Sequence, residues 1–152
     1  VVHEFVADRQ ADGKITVLEE LDIREFKRGR RGNRRDSMWS RGKLSKRLQE
    51  ALAWHGLLSE EGEPSYTSQI CPICGHLEHA NRNQKTFKCL HCGHEDDADH
   101  NAAINIMERA ANEKLKSMLA VPMTLKQRQS AICEWYAAKE AEYNKQLTVS
   151  LA

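Results

Sequence analysis

The chain has 152 residues, 40% of them hydrophobic and 30% charged, and its 23 Lys and Arg against 22 Asp and Glu leave a formal net charge of +1. That composition supplies one modest core, and no apolar run reaches the roughly 20 residues of a membrane-spanning helix. The near-neutral total hides an asymmetry: residues 24–47 hold 11 Lys or Arg against Glu25 and Asp36, so an anionic partner is expected there.

Residues 1–9 read as the end of an amphipathic helix with Val2, Phe5 and Val6 on one face. The abrupt Val1-Val2-His3 opening leads us to expect the C-terminal piece of a longer protein. Asp12-Gly13 marks a turn, and the β-branched run 14–18 predicts a buried strand that stops at Glu19-Glu20. A carboxylate at the carboxyl end of a buried strand is where α/β folds place ligand-handling groups, and it is equally a solvated strand end.

The stretch that follows holds Lys27, Arg28, Arg30, Arg31, Arg34 and Arg35 with interspersed glycines. It reads as a loop whose guanidinium groups grip phosphates in pairs, or as a solvated basic loop. Residues 39–54 predict an amphipathic helix with Leu44, Leu48, Ala51 and Leu52 turned inward and Trp39 and Trp54 as packing residues. Leu57-Leu58 begins a weaker strand that runs into the acidic Glu60-Glu61-Gly62-Glu63.

The strongest pattern is Cys71-Pro-Ile-Cys74, fourteen residues, then Cys89-Leu-His-Cys92, with Gly75 and Gly93 directly after each pair. Two such knuckles place four thiolates where two tight turns can enclose Zn2+, and a shell closed by four thiolates leaves no position for a reactive water. Disulfides would leave Cys133 unpaired, and a redox pair would need a single C-x-x-C beside a βαβ unit. His76, His79, His91 and His94 are alternative ligands, read here as exposed or as nucleic-acid contacts because the thiolates already complete the site. Metal-type cysteines imply a reducing, cytoplasmic setting.

Asp96, Asp97 and Asp99 then precede a helix over 101–110 whose inward residues are expected to be Ala103, Ile106, Met107 and Ala110. One aspartate suffices as an N-cap; three in four residues suggest a further role, and the helix terminus favours an ionised Asp99 able to meet a cation. Pro122 breaks the chain, and 125–147 predict a last helix with Ile132, Trp135, Tyr136 and Tyr143 on its apolar face. Cys133 within it is expected to pack.

Val17-Leu18-Glu19-Glu20-Leu21, the basic loop, Tyr66-Thr67-Ser68-Gln69 leading into the first cysteine pair, and Ala98-Asp99-x-Asn101-Ala102-Ala103-x-Asn105-Ile106 together resemble the C-terminal RuvC nuclease domain of TnpB proteins and type V CRISPR effectors. The resemblance covers about residues 1–110. It implies an α/β fold: a partial RNase H-like (RuvC) domain with an inserted four-cysteine zinc ribbon and a C-terminal helical tail. The corresponding parts are 1–66, the ribbon 67–95, the last motif and helix 96–118, and the tail 119–152. Glu19 looks like the second and Asp99 like the third of three acidic residues that hold two Mg2+ ions for phosphodiester hydrolysis. The first is not matched here, since Asp8 falls in a helical stretch and Asp12 in a turn. The implied function is part of a prokaryotic, cytoplasmic RNA-guided DNA endonuclease acting with guide RNA, target DNA and the remainder of the same protein. The alternative is a nuclease-inactive, RNA-guided DNA-binding effector.

Overall fold

Helix α1 (Val2–Asp12) and helix α2 (Arg41–Trp54) lie against each other in a unit that spans Val1–Gly62; a second compact unit spans Glu63–Ala152. The computed structural model describes residues 2–20 and 41–150.

In the first unit α1 buries Val6, as the apolar spacing requires, and Asp12 accepts the Lys14 backbone N–H at 3.0 Å to turn the chain into strand β1 (Thr16–Glu19). This side-chain mimic of a turn is the habitual role of Asp beside Gly. Helix α2 buries Leu52 and half-buries Leu48 and Ala51, as expected. Leu44 is instead exposed, and Trp54, expected to pack, is 89% exposed. The helix ends at Gly56: Leu57 N–H donates to the Leu52 carbonyl at 2.9 Å and Gly56 N–H to that of Ala53 at 3.0 Å, the paired closure of a Schellman C-cap.

Strand β2 (Ser59–Gly62) pairs in parallel with β1, Thr16 opposite Ser59 and Glu19 opposite Gly62. The ladder is framed by Thr16 N–H to the Leu58 carbonyl at 3.2 Å and Glu20 N–H to that of Gly62 at 2.9 Å. Pairing therefore falls on the acidic residues, whereas the sequence pointed to the leucines. Backbone closure from the helix cap sets the register here, and Leu58 is left exposed.

The second unit opens with a turn over 65–69 in which Gln69 and Ile70 N–H both donate to the Tyr66 carbonyl, at 2.8 and 3.0 Å. Tyr66 adopts φ +60, a conformation that costs an L residue about 1–2 kcal/mol. Its ring packs on the buried cluster Ile70, Ile132 and Tyr136, with Leu77, Leu119 and Trp135. Strands β3 (Arg82–Asn83), β4 (Thr86–Lys88) and β5 (Glu95–Asp97) form an antiparallel sheet whose buried side chain is Phe87. Helix α3 (Ala98–Ala111) starts directly from β5, α4 (Glu113–Leu119) follows, and the long α5 (Leu125–Ser150) closes the chain.

Helix α3 is rotated relative to the apolar reading. Ala103 and Met107 are exposed, and the buried stripe is Ala98, Asn101, Asn105, Arg109 and Ala110. Asn101 and Asn105 each donate through Nδ2 to the carbonyls of Thr67 and Ile70, at 2.8–3.1 Å. One turn further on, Arg109 Nη1 donates to the Glu63 carbonyl at 2.7 Å and to its Oε2 at 2.8 Å, and Nε donates to the Tyr136 hydroxyl at 3.3 Å. Polar groups thus form the inner face because they satisfy turn carbonyls that would otherwise be buried without donors. The fold is mixed α/β, with four cysteines gathered between the strands and a long C-terminal helix.

Candidate metal centre

Each cysteine pair closes in the same way. In the first, Gly75 N–H donates to the Cys71 carbonyl at 2.9 Å and Cys71 N–H to that of His76 at 3.0 Å; in the second, Gly93 N–H donates to Cys89 at 3.0 Å and Cys89 N–H to His94 at 2.8 Å. Gly75 and Gly93 sit at φ +81 and +77, which is why the pattern needs glycine after each pair. Asn81, buried, ties the two knuckles: Nδ2 donates to the Gln69 carbonyl at 3.0 Å and Oδ1 accepts from Leu90 N–H at 3.0 Å.

The result is a compact cage. The sulfurs of Cys71 and Cys92 are 3.6 Å apart, those of Cys74 and Cys89 also 3.6 Å, and all four lie within 4.8 Å of one another. A tetrahedron with metal–sulfur bonds of about 2.3 Å has edges of about 3.8 Å, while a disulfide requires about 2.05 Å. The four are free thiols, and three of them are buried. Their geometry and softness therefore fit Zn2+ in a closed, structural shell. Burial pushes the Cys71 thiol up to about 11 and that of Cys74 further still. At Cys89 burial pushes upward too, but hydrogen bonds from the N–H groups of Cys92 and His91 together with those to the Cys74 and Cys92 sulfurs hold the thiol below its ordinary value. Without a cation, burial favours protons on the Cys71 and Cys74 sulfurs; a bound dication would reverse that preference.

The histidines stand outside the cage. His76 Nδ1 is 2.8 Å from Glu140 Oε1, and its ring stacks on exposed His91 with centroids 5.5 Å apart. His79 is exposed, and His94 lies beside Phe87.

Asp99 lies in the first turn of α3, and the cap is made by its neighbour: Asp97 Oδ1 accepts the N–H of Asp99 at 2.9 Å and of His100 at 3.2 Å. The Asp99 side chain is 80% exposed, with Arg82 Nη2 3.7 Å from Oδ1. His100 Nδ1 is 2.7 Å from Asp96 Oδ2, and that hydrogen bond holds the Asp96 carboxyl below its ordinary value. Sequence reading missed both pairings. Arg82 sits on β3, and only the β3–β4–β5 sheet brings it to the helix start. Glu19 ends β1, half-buried, in the first unit, whereas Asp99 belongs to the second. Lys27, Arg28, Arg30, Arg31, Arg34 and Arg35, like Trp39, lie outside the described residues.

Residues 42–106 match the family model for the TNB domain of Cas12f1-like proteins. The CRISPR-associated endodeoxyribonuclease Cas12f1 of Sulfoacidibacillus thermotolerans is 33% identical over 102 residues, covering 66% of this chain and 23% of that protein. A TnpB-like protein of Methanocaldococcus jannaschii is 33% identical over 99 residues, 64% of this chain and 35% of its own length. The chain thus spans about a quarter to a third of these relatives. Among solved structures, CasPhi-2 (Cas12j) bound to crRNA and phosphorothioate-DNA superposes with a TM-score of 0.54 at 27% identity, covering 71% of this chain and 17% of that one.

Proposed function

We propose, from a chain that belongs through its TNB zinc-finger region to the RuvC-associated type V CRISPR/TnpB family, that it forms the C-terminal part of an RNA-guided DNA endonuclease. In this reading Cys71, Cys74, Cys89 and Cys92 hold one Zn2+ that shapes the ribbon over 67–95. Glu19 and Asp99 supply carboxylate oxygens to catalytic Mg2+, completed by the remainder of the protein. Guide RNA and target DNA are the partners, and the basic loop at 27–35 contacts phosphates. A cytoplasmic site of action suits a thiol cage that must stay reduced.

The observation that carries the reading is the division of labour at the start of α3. Asp97 takes the N-cap, which leaves Asp99 exposed beside Arg82 and directly after the cage. A carboxylate not consumed by capping, at a helix terminus that favours negative charge, is suited to a hard divalent ion. Glu19, at the carboxyl end of a parallel strand, has the placement that such folds use for ligands. Thiolates do not serve Mg2+ well, so the two sets of side chains serve different metals. Bound Mg2+ would activate the attacking water and stabilise the leaving oxygen.

The test uses the complete protein loaded with its guide. Glu19→Ala and Asp99→Ala are each expected to abolish Mg2+-dependent cleavage while target binding persists in a gel-shift assay. Undiminished cutting by either variant would remove that residue from the site. Target binding without cutting by the unaltered protein would favour the nuclease-inactive effector.

A further inference from the structure

Helix α5 is held along its length by two different kinds of contact. Its first half is anchored by apolar burial, with Ile132 and Tyr136 fully enclosed beside Ile70. Its second half is seated on the cysteine knuckles. A Cβ at Gly75 would lie 2.8 Å from the Tyr136 carbonyl oxygen and 3.0 Å from both Glu140 N and Lys139 Cβ, so helix and knuckle touch backbone to backbone. Lys139 Nζ donates to the Pro72 carbonyl at 2.9 Å and to Glu108 Oε1 at 2.6 Å, and His76 meets Glu140 at 2.8 Å. Tyr143 packs against the buried cysteine cluster, with the His91 ring edge-on at 6.1 Å. From 144 to 149 the helix is exposed on every side.

We propose that the cysteine cage is the latch for the second half of α5: residues 137–143 stay docked while the four sulfurs are held together, and leave when the metal is withdrawn. The inference rests on the zinc reading above. The groups that seat the helix are the Pro72 carbonyl, Gly75 and His76 of one knuckle and His91 of the other, each within two residues of a cysteine. Their common surface exists only while the knuckles face each other. A helical end stripped of its packing is marginal in water, so the helix from 137 onward would fray while the apolar half keeps its own cluster. Through Lys139–Glu108 and Tyr136–Arg109 the same helix bears on α3, which carries Asp99.

Hydrogen–deuterium exchange on the full chain, with zinc content measured on the same samples, tests this. Chelation is expected to accelerate exchange over 137–143 by about tenfold or more, and to affect 126–136 less. Because chelation can also unfold the whole unit, a second arm keeps zinc in place. Gly75→Ala forces the knuckle and the helix apart, whereas Gly93→Ala imposes the same backbone strain where no atom lies within 4 Å. Zinc-loaded Gly75→Ala should show the fast exchange, and Gly93→Ala should not. By linkage, Gly75→Ala should also weaken zinc binding more than Gly93→Ala does. Equal exchange over 137–143 in the two variants, or exchange there that ignores zinc removal, would overturn the latch. Absence of zinc from a folded sample would instead overturn the metal reading beneath it.

Discussion

Arg109 is almost wholly buried, yet it is held by a carboxylate, a carbonyl and a phenol rather than by apolar packing. Removing one partner of such a pair leaves the other charge enclosed, at a cost of about 3–5 kcal/mol. Arg109→Ala is therefore expected to lower stability in urea unfolding of the zinc-loaded chain by more than Asn105→Ala, which removes one of two donors from the carbonyls at 67 and 70 and leaves Asn101 on both, at about 0.5–1.5 kcal/mol. Neighbouring aspartates separate in the same experiment. Asp97→Ala deletes the cap of α3 and should cost about 1 kcal/mol. Asp99→Ala touches no cap and should leave the unfolding midpoint nearly unchanged, so that any loss of cleavage it causes cannot be ascribed to unfolding.

At the scale of the element, α2 and the knuckles show how far pattern reading extends. The apolar spacing of α2 located its inward face through Leu48, Ala51 and Leu52, but it also placed Leu44 and Trp54 there. In the described unit, Leu52 is fully buried and Trp54 is not. Leu52→Ala should therefore cost about 2–5 kcal/mol, and Trp54→Ala should stay within about 0.5 kcal/mol, both read from thermal or urea unfolding. Equal losses would mean that Trp54 is packed. The knuckles carry their geometry in the sequence itself, since two cysteines two residues apart followed by glycine dictate the turn.

For the whole molecule, the cage makes metal loading depend on pH. Burial raises the Cys71 and Cys74 thiols, so in the physiological range they are protonated without metal, and binding must displace those protons. Apparent zinc affinity should thus rise with pH and fall on acidification, by about tenfold per pH unit for each proton displaced. Competition with a chromophoric chelator at pH 6, 7 and 8 measures it; a flat profile would mean that the thiols do not take part.

By itself the sequence determined the cage, the helix over 101–110 and the last helix, because each follows from contacts between residues close in the chain. The resemblance to the Cas12f1-like TNB domain was legible for the same reason, being written in short motifs around the cysteines and Asp99. Only the tertiary structure decided which face of α3 turns inward. Its polar stripe is buried to satisfy carbonyls from a turn more than thirty residues away, and a hydrophobic period cannot register partners that lie elsewhere in the chain. The same holds for Arg82 beside Asp99 and for Gly75 beneath the last helix: each is a meeting of distant backbones, which folding creates and local pattern does not contain.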